Sequence, residues 1–270
     1  MLHKRVTTET RSNSETKIWH LRNSTLLKVG KLKITNFKPS GLIDYKRDVE
    51  VKSDREKDLV VVGAGSAASN VVNVAHALNK DIAYFIHDKK AGDRLFGVEI
   101  IVSLSELKNL EEFEIFIALG DNYLRKKFSD EVQTRYPAAK FASLIHPSAD
   151  IGPFCFIGNG SLIMPNSVVG ANVKIGDFSV LGNLSCVGHD TTIGRYSSLS
   201  PGEILAGNVQ LGSNSTIGMS ANVLEKVRIG DNVIVGANSL LNRDVDDNKV
   251  VYGNPARVHR IRKQDDSYLR

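Results

Sequence analysis

From residue 145 onward every sixth position of this chain is aliphatic, and no other feature restricts its possible folds so tightly. The series begins Ile145, Ile151, Ile157, Ile163, Val169 and ends Ile229, Val235, Leu241, seventeen positions without a slip. If about one residue in four is Ile, Leu or Val, such a run arises by chance with a probability on the order of 10⁻¹⁰. A period of six fits neither a helix nor an alternating strand. It fits a chain that turns a corner every six residues and points the aliphatic side chain into a narrow prism. The next position is Gly in eleven hexads, Gly152, Gly176, Gly188 and Gly230 among them. The fifth is nearly always small or β-branched, as at Ser161, Ser179, Thr191, Val209 and Val233. Glycine is expected to supply unusual backbone angles at the turn, and the small residues to fill the interior. Three hexads close one triangular coil. Residues 145–246 therefore make a parallel β-helix of between five and six coils, on the order of 25 Å tall at about 4.8 Å between strands.

Residues 58–144 read differently, as a small Rossmann-like α/β unit. A buried strand, Leu59 to Val62, runs into Gly63-Ala64-Gly65-Ser66-Ala67-Ala68 and a helical stretch to about Leu78. A second strand, Ile82 to Ile86, ends at His87-Asp88; a third, Glu114 to Leu119, ends at Gly120-Asp121-Asn122, with helix following toward Arg135. The block has about half the length of a full dinucleotide fold and suits one nucleotide half. That length, and the lack of a separate catalytic domain, disfavour a nicotinamide-dependent oxidoreductase.

The net charge of +5 does not indicate a nucleic-acid partner, because residues 1–57 hold 14 Lys or Arg against 7 Asp or Glu and the remainder is slightly acidic. Those basic residues are scattered and form no recognisable nucleic-acid module. The extension reads as a solvated tail with one strand-like patch, Leu26 to Phe37, and a single Trp19 as a possible docking anchor. No apolar run approaches the roughly 20 residues needed to cross a bilayer, and no signal-peptide block opens the chain, which places it in the cytoplasm. Cys155 and Cys186 both fall inside the repeat and read as buried small residues, not as a disulfide or zinc site. A C-terminal segment, 247–270, follows the repeat.

Between residues 147 and 246 there is one histidine, His189, at the third hexad position, where a side chain can leave the prism. A general base for acyl transfer must accept a proton from an amine or hydroxyl near neutral pH, which imidazole does. Asp190 adjoins it and either orients the ring or is a turn aspartate. Eighteen residues on, one coil later, lies Gly207, whose unobstructed N–H suits an oxyanion, or which is another corner glycine. A β-helical carbonic anhydrase would need several converging histidines, so no metal is expected. The loop at Gly63 and Gly65 fits G-x-G-x-x-A between strand and helix, a setting for phosphate, with Asp88 placed to meet a ribose.

Together these segments resemble the bacterial sugar acyltransferases typified by the sialic acid O-acetyltransferases and the N-acetyltransferases of nucleotide-linked 4-amino sugars. The resemblance rests on Val-Val-Gly-Ala-Gly-Ser at 61–66, Ala-Leu-Gly-Asp-Asn-Tyr-Leu-Arg-Lys-Lys at 118–127 and Leu-Ile-His-Pro-Ser-Ala at 144–149. It continues through Val-Gly-His-Asp at 187–190, Leu-Ala-Gly-Asn-Val at 205–209 and Gly-Asn-Pro-Ala-Arg at 253–257. It implies a left-handed β-helix, a homotrimer, and acetyl-CoA as cosubstrate in the cleft between neighbouring β-helices. It implies His189 as base beside Asp190, and coenzyme contacts at Gly207, Ala237, Pro255 and Arg257. The front domain would hold the acceptor through Gly63, Gly65, Asp88, Gly120, Asn122 and Ser198. Ser198 stands where many aminosugar members carry a second histidine, and Glu203 occupies a fifth position that is normally small and inward. The expected activity is N-acetylation of a nucleotide-linked amino sugar, with O-acetylation of sialic acid or a related sugar as the alternative. A non-catalytic nucleotide-sugar-binding scaffold is the second alternative.

Overall fold

A computed structural model describes residues 58–263 and Asp266; the basic extension, with Trp19 and the patch at Leu26 to Phe37, lies outside the described residues. The front block contains β1 (Leu59–Val62), α1 (Ser66–Ala77), β2 (Ile82–Ile86), β3 (Arg94–Leu95), β4 (Val98–Ile101), β5 (Glu114–Ile117) and α2 (Asn122–Arg135). Its sheet has the order β3-β4-β2-β1-β5, parallel except where β3 runs against β4. All four residues of β1 are buried, as expected of a strand covered on both faces. The β3–β4 hairpin is absent from the sequence reading because strands of two and four residues are too short to show a period. Strand order reverses at β1, with β2 on one side and β5 on the other. The crevice beyond the carboxyl ends of β1 and β5 is where such sheets bind ligands.

Seventeen two-residue strands follow at six-residue intervals, from β6 (Leu144–Ile145) to β22 (Leu240–Leu241). Each pairs in parallel with its equivalent 18 residues away, as Val168–Val169 does with Cys186–Val187 and that pair with Ile204–Leu205. The result is a three-faced prism. The first face runs β6, β9, β12, β15, β18, β21 and is extended by the hairpin β23 (Lys249–Gly253) and β24 (Ala256–Ile261). The second runs from β7 to β22, and the third from β8 to β20. The aliphatic residue of each hexad forms a continuous apolar column from Ile163 to Leu241, each member nearly inaccessible to water. Burying one such side chain contributes roughly 1.5–3 kcal/mol.

The corners correct one expectation. The residue in the left-handed region is the fourth of each hexad, at every turn from Phe154 to Asn238, often Asn (Asn166 φ 58°, Asn172 φ 59°, Asn208 φ 60°). Asparagine tolerates that region better than other residues with a side chain. The second-position glycines do not adopt it. They are required because the next coil lies against them: a Cβ on Gly188 would stand 2.5 Å from the backbone carbon of Ala206 and the nitrogen of Gly207. The buried fifth-position hydroxyls are satisfied in the same coil-to-coil direction. Ser161, Ser179 and Ser197 donate to the carbonyls of Gly176, Gly194 and Gly212 at 3.1, 3.0 and 2.7 Å.

The front block covers the first face and shares its core with the prism. Leu144, Leu162 and Met164 pack with Leu59, Val61 and Phe116, while Phe178 stacks on Tyr196 beneath Ile115. The second face stays uncovered and apolar, with Val168 and Ile204 exposed along it and Leu184, Met219 and Leu224 exposed at its edges. Cys186 lies in that outward column and is only half-buried, contrary to its expected inward place; Cys155 is half-buried with Sγ 3.0 Å from the Gly170 carbonyl oxygen.

Glu203 is the exception inside the prism. It is fully buried in a column otherwise made of Ser167, Ser185, Ala221 and Ser239, and neither carboxyl oxygen has a hydrogen-bond partner. Burial, offset in part by Ser185 and its own backbone, pushes its pKa up to about 8, so at neutral pH it is held protonated. The unfolded chain ionises near the ordinary value of 4.5, so the fold loses stability as pH rises from about 4.5 to about 8. Glu203→Ser is therefore expected to raise the melting temperature at pH 8 by roughly 10 °C, from about 4 kcal/mol at ~2–4 °C each. The gain should shrink steadily toward pH 4.5, as thermal melts across that range will show. A separate expectation concerns spacing: Gly194→Ala forces a methyl to 2.5 Å from Gly212 and Ser213 backbone atoms. It should lower the melting temperature by several degrees, where the same exchange at the open position Gly92, despite its positive φ, costs less.

Candidate active site

His189 stands on the edge between the second and third faces, after β13 (Cys186–Val187), with its side chain exposed. Its backbone is held from both sides, since the His189 carbonyl accepts from Asn208 N–H at 2.8 Å and Asp190 N–H donates to Ala171 at 3.0 Å. Gly170 lies directly beneath: a Cβ there would come 2.7 Å from the His189 nitrogen.

The ring itself is oriented by a relay. Nδ1 of His189 lies 2.7 Å from Asp190 Oδ2, and Asp190 Oδ1 accepts from the Asn172 amide at 2.6 Å, one coil below. Those two hydrogen bonds, Asn172 first and His189 second, hold the Asp190 carboxyl below the usual carboxylate range. An ionised Asp190 keeps the proton on Nδ1 and leaves Nε2 as the basic nitrogen. Asp190 therefore serves both readings: its φ of 58° makes the turn, and the same conformation presents its carboxylate to the ring.

Nε2 faces Gly207. A Cβ added to Gly207 would lie 2.7 Å from Nε2 and 2.8 Å from Cε1, so the glycine is needed for the ring to lie where it does. The Gly207 N–H has no acceptor among the described residues, unlike the third-position amides of Asn159, Ser213 and Asp231, which donate to aspartate oxygens. Here alone the free amide adjoins an imidazole nitrogen, which makes an acceptor site for developing negative charge beside a base.

Of the residues expected on the acceptor side, Gly63, Gly65 and Gly120 lie at the loops that follow β1 and β5. Gly63 has φ +112° and its missing Cβ would stand 2.7 Å from the Ala118 oxygen; Gly65 is open, with nothing within 4 Å. Gly65 is also the N-cap of α1, whose first turn has no side-chain cap and no acidic residue, leaving its N–H groups available to an anion. Lys90, which the sequence reading did not single out, reaches back to donate to the Ala64 carbonyl at 3.0 Å and brings a positive charge to this loop. No motif marks it, because a turn of chain after Asp88 places it. Asp88 is exposed at the end of β2, and Gly120 is exposed after β5. A cleft of about 170 Å³ continues from here between α1 and the edge joining the first and second faces. Ala67 and Asn70 line it on one side, Asn183, Ser200 and Pro201 on the other, with Gly120 and Ser198 at its back.

Asn122 is not in that cleft. It is 1 % exposed, donating to the Ser215 carbonyl at 3.2 Å and Thr216 Oγ1 at 2.9 Å, while its Oδ1 accepts from Ser198 Oγ at 2.7 Å. Arg125, also missed from sequence, is 1 % exposed and donates to the carbonyls of Phe178, Leu119 and Tyr196 and to Ser198 Oγ at 2.7–2.9 Å. Asn122 and Ser198, the latter also lining the cleft, thus take part in the joint between α2 and the prism, a place the nucleotide contact expected at Asn122 did not foresee. A larger open groove of about 700 Å³ lies on the third face by Gln210, Arg228 and Asp244, but its lining contains no histidine and Arg228 is paired to Asp244 at 3.0 Å.

Ala237 is exposed on the first–second edge, and Pro255 and Arg257 are exposed at and just beyond the β23–β24 turn. Within one chain that edge is separated from His189 and Gly207 by the whole second face.

A hexapeptide prism with an exposed, relay-held histidine beside a free corner amide defines the class of hexapeptide transferases, and the six-repeat bacterial transferase hexapeptide model matches residues 148–183 and 208–243. Residues 58–132 match the PglD N-terminal domain. The chain is 30% identical to PerB of Caulobacter crescentus, solved with CoA and GDP-perosamine, with a TM-score of 0.70 over 75% of this chain and 97% of that one. It is likewise 30% identical to the acetyltransferase domain of PglB from Neisseria gonorrhoeae, solved with acetyl coenzyme A, with a TM-score of 0.69 over 75% and 99%. No curated protein matches it in sequence. The chain belongs to the PglD-like sugar N-acetyltransferase family, and its prism is the left-handed parallel β-helix of that family. No helix among the described residues is long and apolar enough to cross a membrane.

If Asn172 acts only by holding Asp190, Asn172→Ala should lower turnover about 5- to 10-fold in the native background and have no effect in Asp190→Ala, a non-additivity read from a double-mutant cycle. Gly207→Ala is expected to cost at least about 100-fold in kcat while leaving the melting temperature within a few degrees, because the methyl displaces the ring.

Proposed function

We propose that this protein transfers the acetyl group of acetyl-CoA to the amine of a nucleotide-linked amino sugar, directly and without an acyl-enzyme. The observation that carries the reading is the His189 ring, fixed at Nδ1 by Asp190 and presenting Nε2 to the free Gly207 amide. Acetyl-CoA supplies the activated acyl carbon. His189 Nε2 takes a proton from the acceptor amine as its nitrogen bonds to that carbon, and returns a proton to the coenzyme sulfur as the carbon–sulfur bond breaks. The Gly207 N–H meets the charge that develops on the acyl oxygen. The nucleotide diphosphate is proposed to sit at the α1 N-terminus by Gly65 and Lys90, with Asp88 toward the ribose and the sugar in the 170 Å³ cleft. The N-acetyltransferase relatives support nitrogen over oxygen as the acylated atom.

The site needs two chains. The cleft opens at the first–second edge by Asn183 and Pro201, whereas His189 and Gly207 are on the second–third edge of the same two coils. The uncovered apolar second face lies between them, and covering it with a second copy would bring one chain's cleft edge to its neighbour's histidine edge. Ala237, Pro255 and Arg257 would then meet the same coenzyme from the neighbour. The homotrimer that the family resemblance implies would place copies in this way, and that is the assembly proposed here.

Thiol release across UDP-, GDP- and dTDP-linked amino sugars and free or CMP-linked sialic acids, in wild type and His189→Ala, tests the chemistry. Turnover with one amino sugar, reduced about 10²–10⁴-fold in the variant, is expected; turnover with sialic acid alone assigns O-acetylation instead, and binding without turnover a scaffold. Mixing His189→Ala with the cleft-blocked Ala67→Trp tests the assembly. About one quarter of sites should recover activity in mixed trimers if base and cleft come from different chains, and none if they come from one.

A further inference from the structure

Of the buried polar side-chain atoms without a hydrogen-bond partner among the described residues, all but the two Glu203 oxygens gather at one place: Asp121 Oδ2, Asn214 Oδ1 and Arg262 Nε. They come from three separate parts of the chain. Asp121 is the N-cap of α2, its other oxygen accepting from Leu124 N–H at 3.0 Å. Asn214 is a left-handed corner residue of the prism, next to the Ser215 carbonyl that Asn122 holds. Arg262 follows β24 and docks on the same corner, donating from Nη1 to the Asn214 carbonyl and from Nη2 to the Asp266 carbonyl, both at 3.1 Å. Asp121 is 8 % and Arg262 2 % exposed. Their charges act on one another, yet no direct ion pair closes between them.

The three atoms are one donor and two acceptors. A water molecule is the complement: it accepts from Arg262 Nε–H and donates one hydrogen each to Asp121 Oδ2 and Asn214 Oδ1. A bare ion matches worse, since a cation meets the Arg262 donor and an anion the Asp121 carboxylate. Leaving a buried donor or acceptor atom unpaired is costly even where the rest of its group is bonded, so these three atoms call for a ligand.

We propose that a single structural water joins Asp121, Asn214 and Arg262, and that through it Arg262 acts as a positioning residue for the acceptor loop. That loop, residues 119–122, is gripped from the inside by Arg125, which donates to the Leu119 and Gly120 carbonyls at 2.8 and 3.3 Å. The water fixes it from the other side. Because β24 starts at Ala256, beside the proposed coenzyme contacts, and leads to Arg262, one strand ties the coenzyme end of the molecule to the wall of the acceptor cleft. This positioning role rests on the acceptor reading above; the water does not.

A crystal structure of the full chain and amide hydrogen exchange on wild type, Arg262→Lys and Asp121→Asn test it. Expected is a density peak about 2.7–3.2 Å from all three atoms, lost in both variants, with exchange of the Leu124 amide at least about tenfold faster in each. Asp121→Asn keeps an N-cap oxygen, so the test survives if Arg262→Lys folds poorly. A direct Asp121–Arg262 pair with no peak between them, or unchanged exchange at Leu124 in both variants, overturns the proposal. Affinity for UDP, GDP and dTDP separates the two ideas. Wild type that binds none of them defeats the acceptor reading alone, whereas binding that is equal in wild type and both variants defeats the positioning role.

Discussion

Everything in this molecule depends on how closely one coil lies on the next. The 18-residue register puts each residue on its own equivalent one coil away, so a requirement at one level recurs at every level. Where a glycine holds the second hexad position, the next coil leaves no room for a Cβ, and that glycine follows from contact, not from backbone strain. Where the chain turns, one residue per corner enters the left-handed region, and asparagine accumulates there. The proposed catalytic constellation is made of the same contacts: Asn172, Asp190 and His189 with Gly207 span three successive levels of one edge, and their spacing is the coil spacing. Regular stacking therefore holds the proposed base and the proposed oxyanion donor in place without any loop having to close.

The second dependence is the joint between the front block and the prism. Burying a guanidinium is costly, and the structure offsets that by giving Arg125 carbonyl and hydroxyl acceptors from both bodies. Removing any one acceptor would leave the charge under-satisfied, so the joint has one good geometry. That geometry sets the width of the cleft between α1 and the coil corner. Ser198 takes part here as an acceptor for Arg125 and a donor to Asn122, which gives the small residue at that position a structural use.

Glu203 shows the same stacking logic by violating it. Its neighbours above and below are Ala and Ser, whose volume the prism accepts and whose hydroxyls the Gly carbonyls can satisfy; a carboxyl there lacks the solvation to ionise. The position is at the coil corner behind Ser200 and Pro201, which line the cleft. The fold therefore tolerates a protonated acid at the back of the acceptor wall.

The period of six, read from the chain alone, determined the prism, its interior column and the placement of His189 at a corner one coil from Gly207, because a stacked repeat translates sequence spacing directly into distance. The strand–glycine loop–helix order likewise determined β1, the turn at Gly63 and the start of α1. Tertiary structure alone decided the rest. Whether second-position glycine serves turn or contact depends on the neighbouring coil, which no single hexad reveals. Asn122 reads as a loop ligand by its motif and is a buried joint residue; Arg125 stands in the same motif, which does not reveal its partners, while Lys90 and Arg262 carry no pattern at all. Their roles arise from meetings between segments up to about 140 residues apart, Asp121 with Arg262 being the longest, and local periodicity holds no information about such encounters.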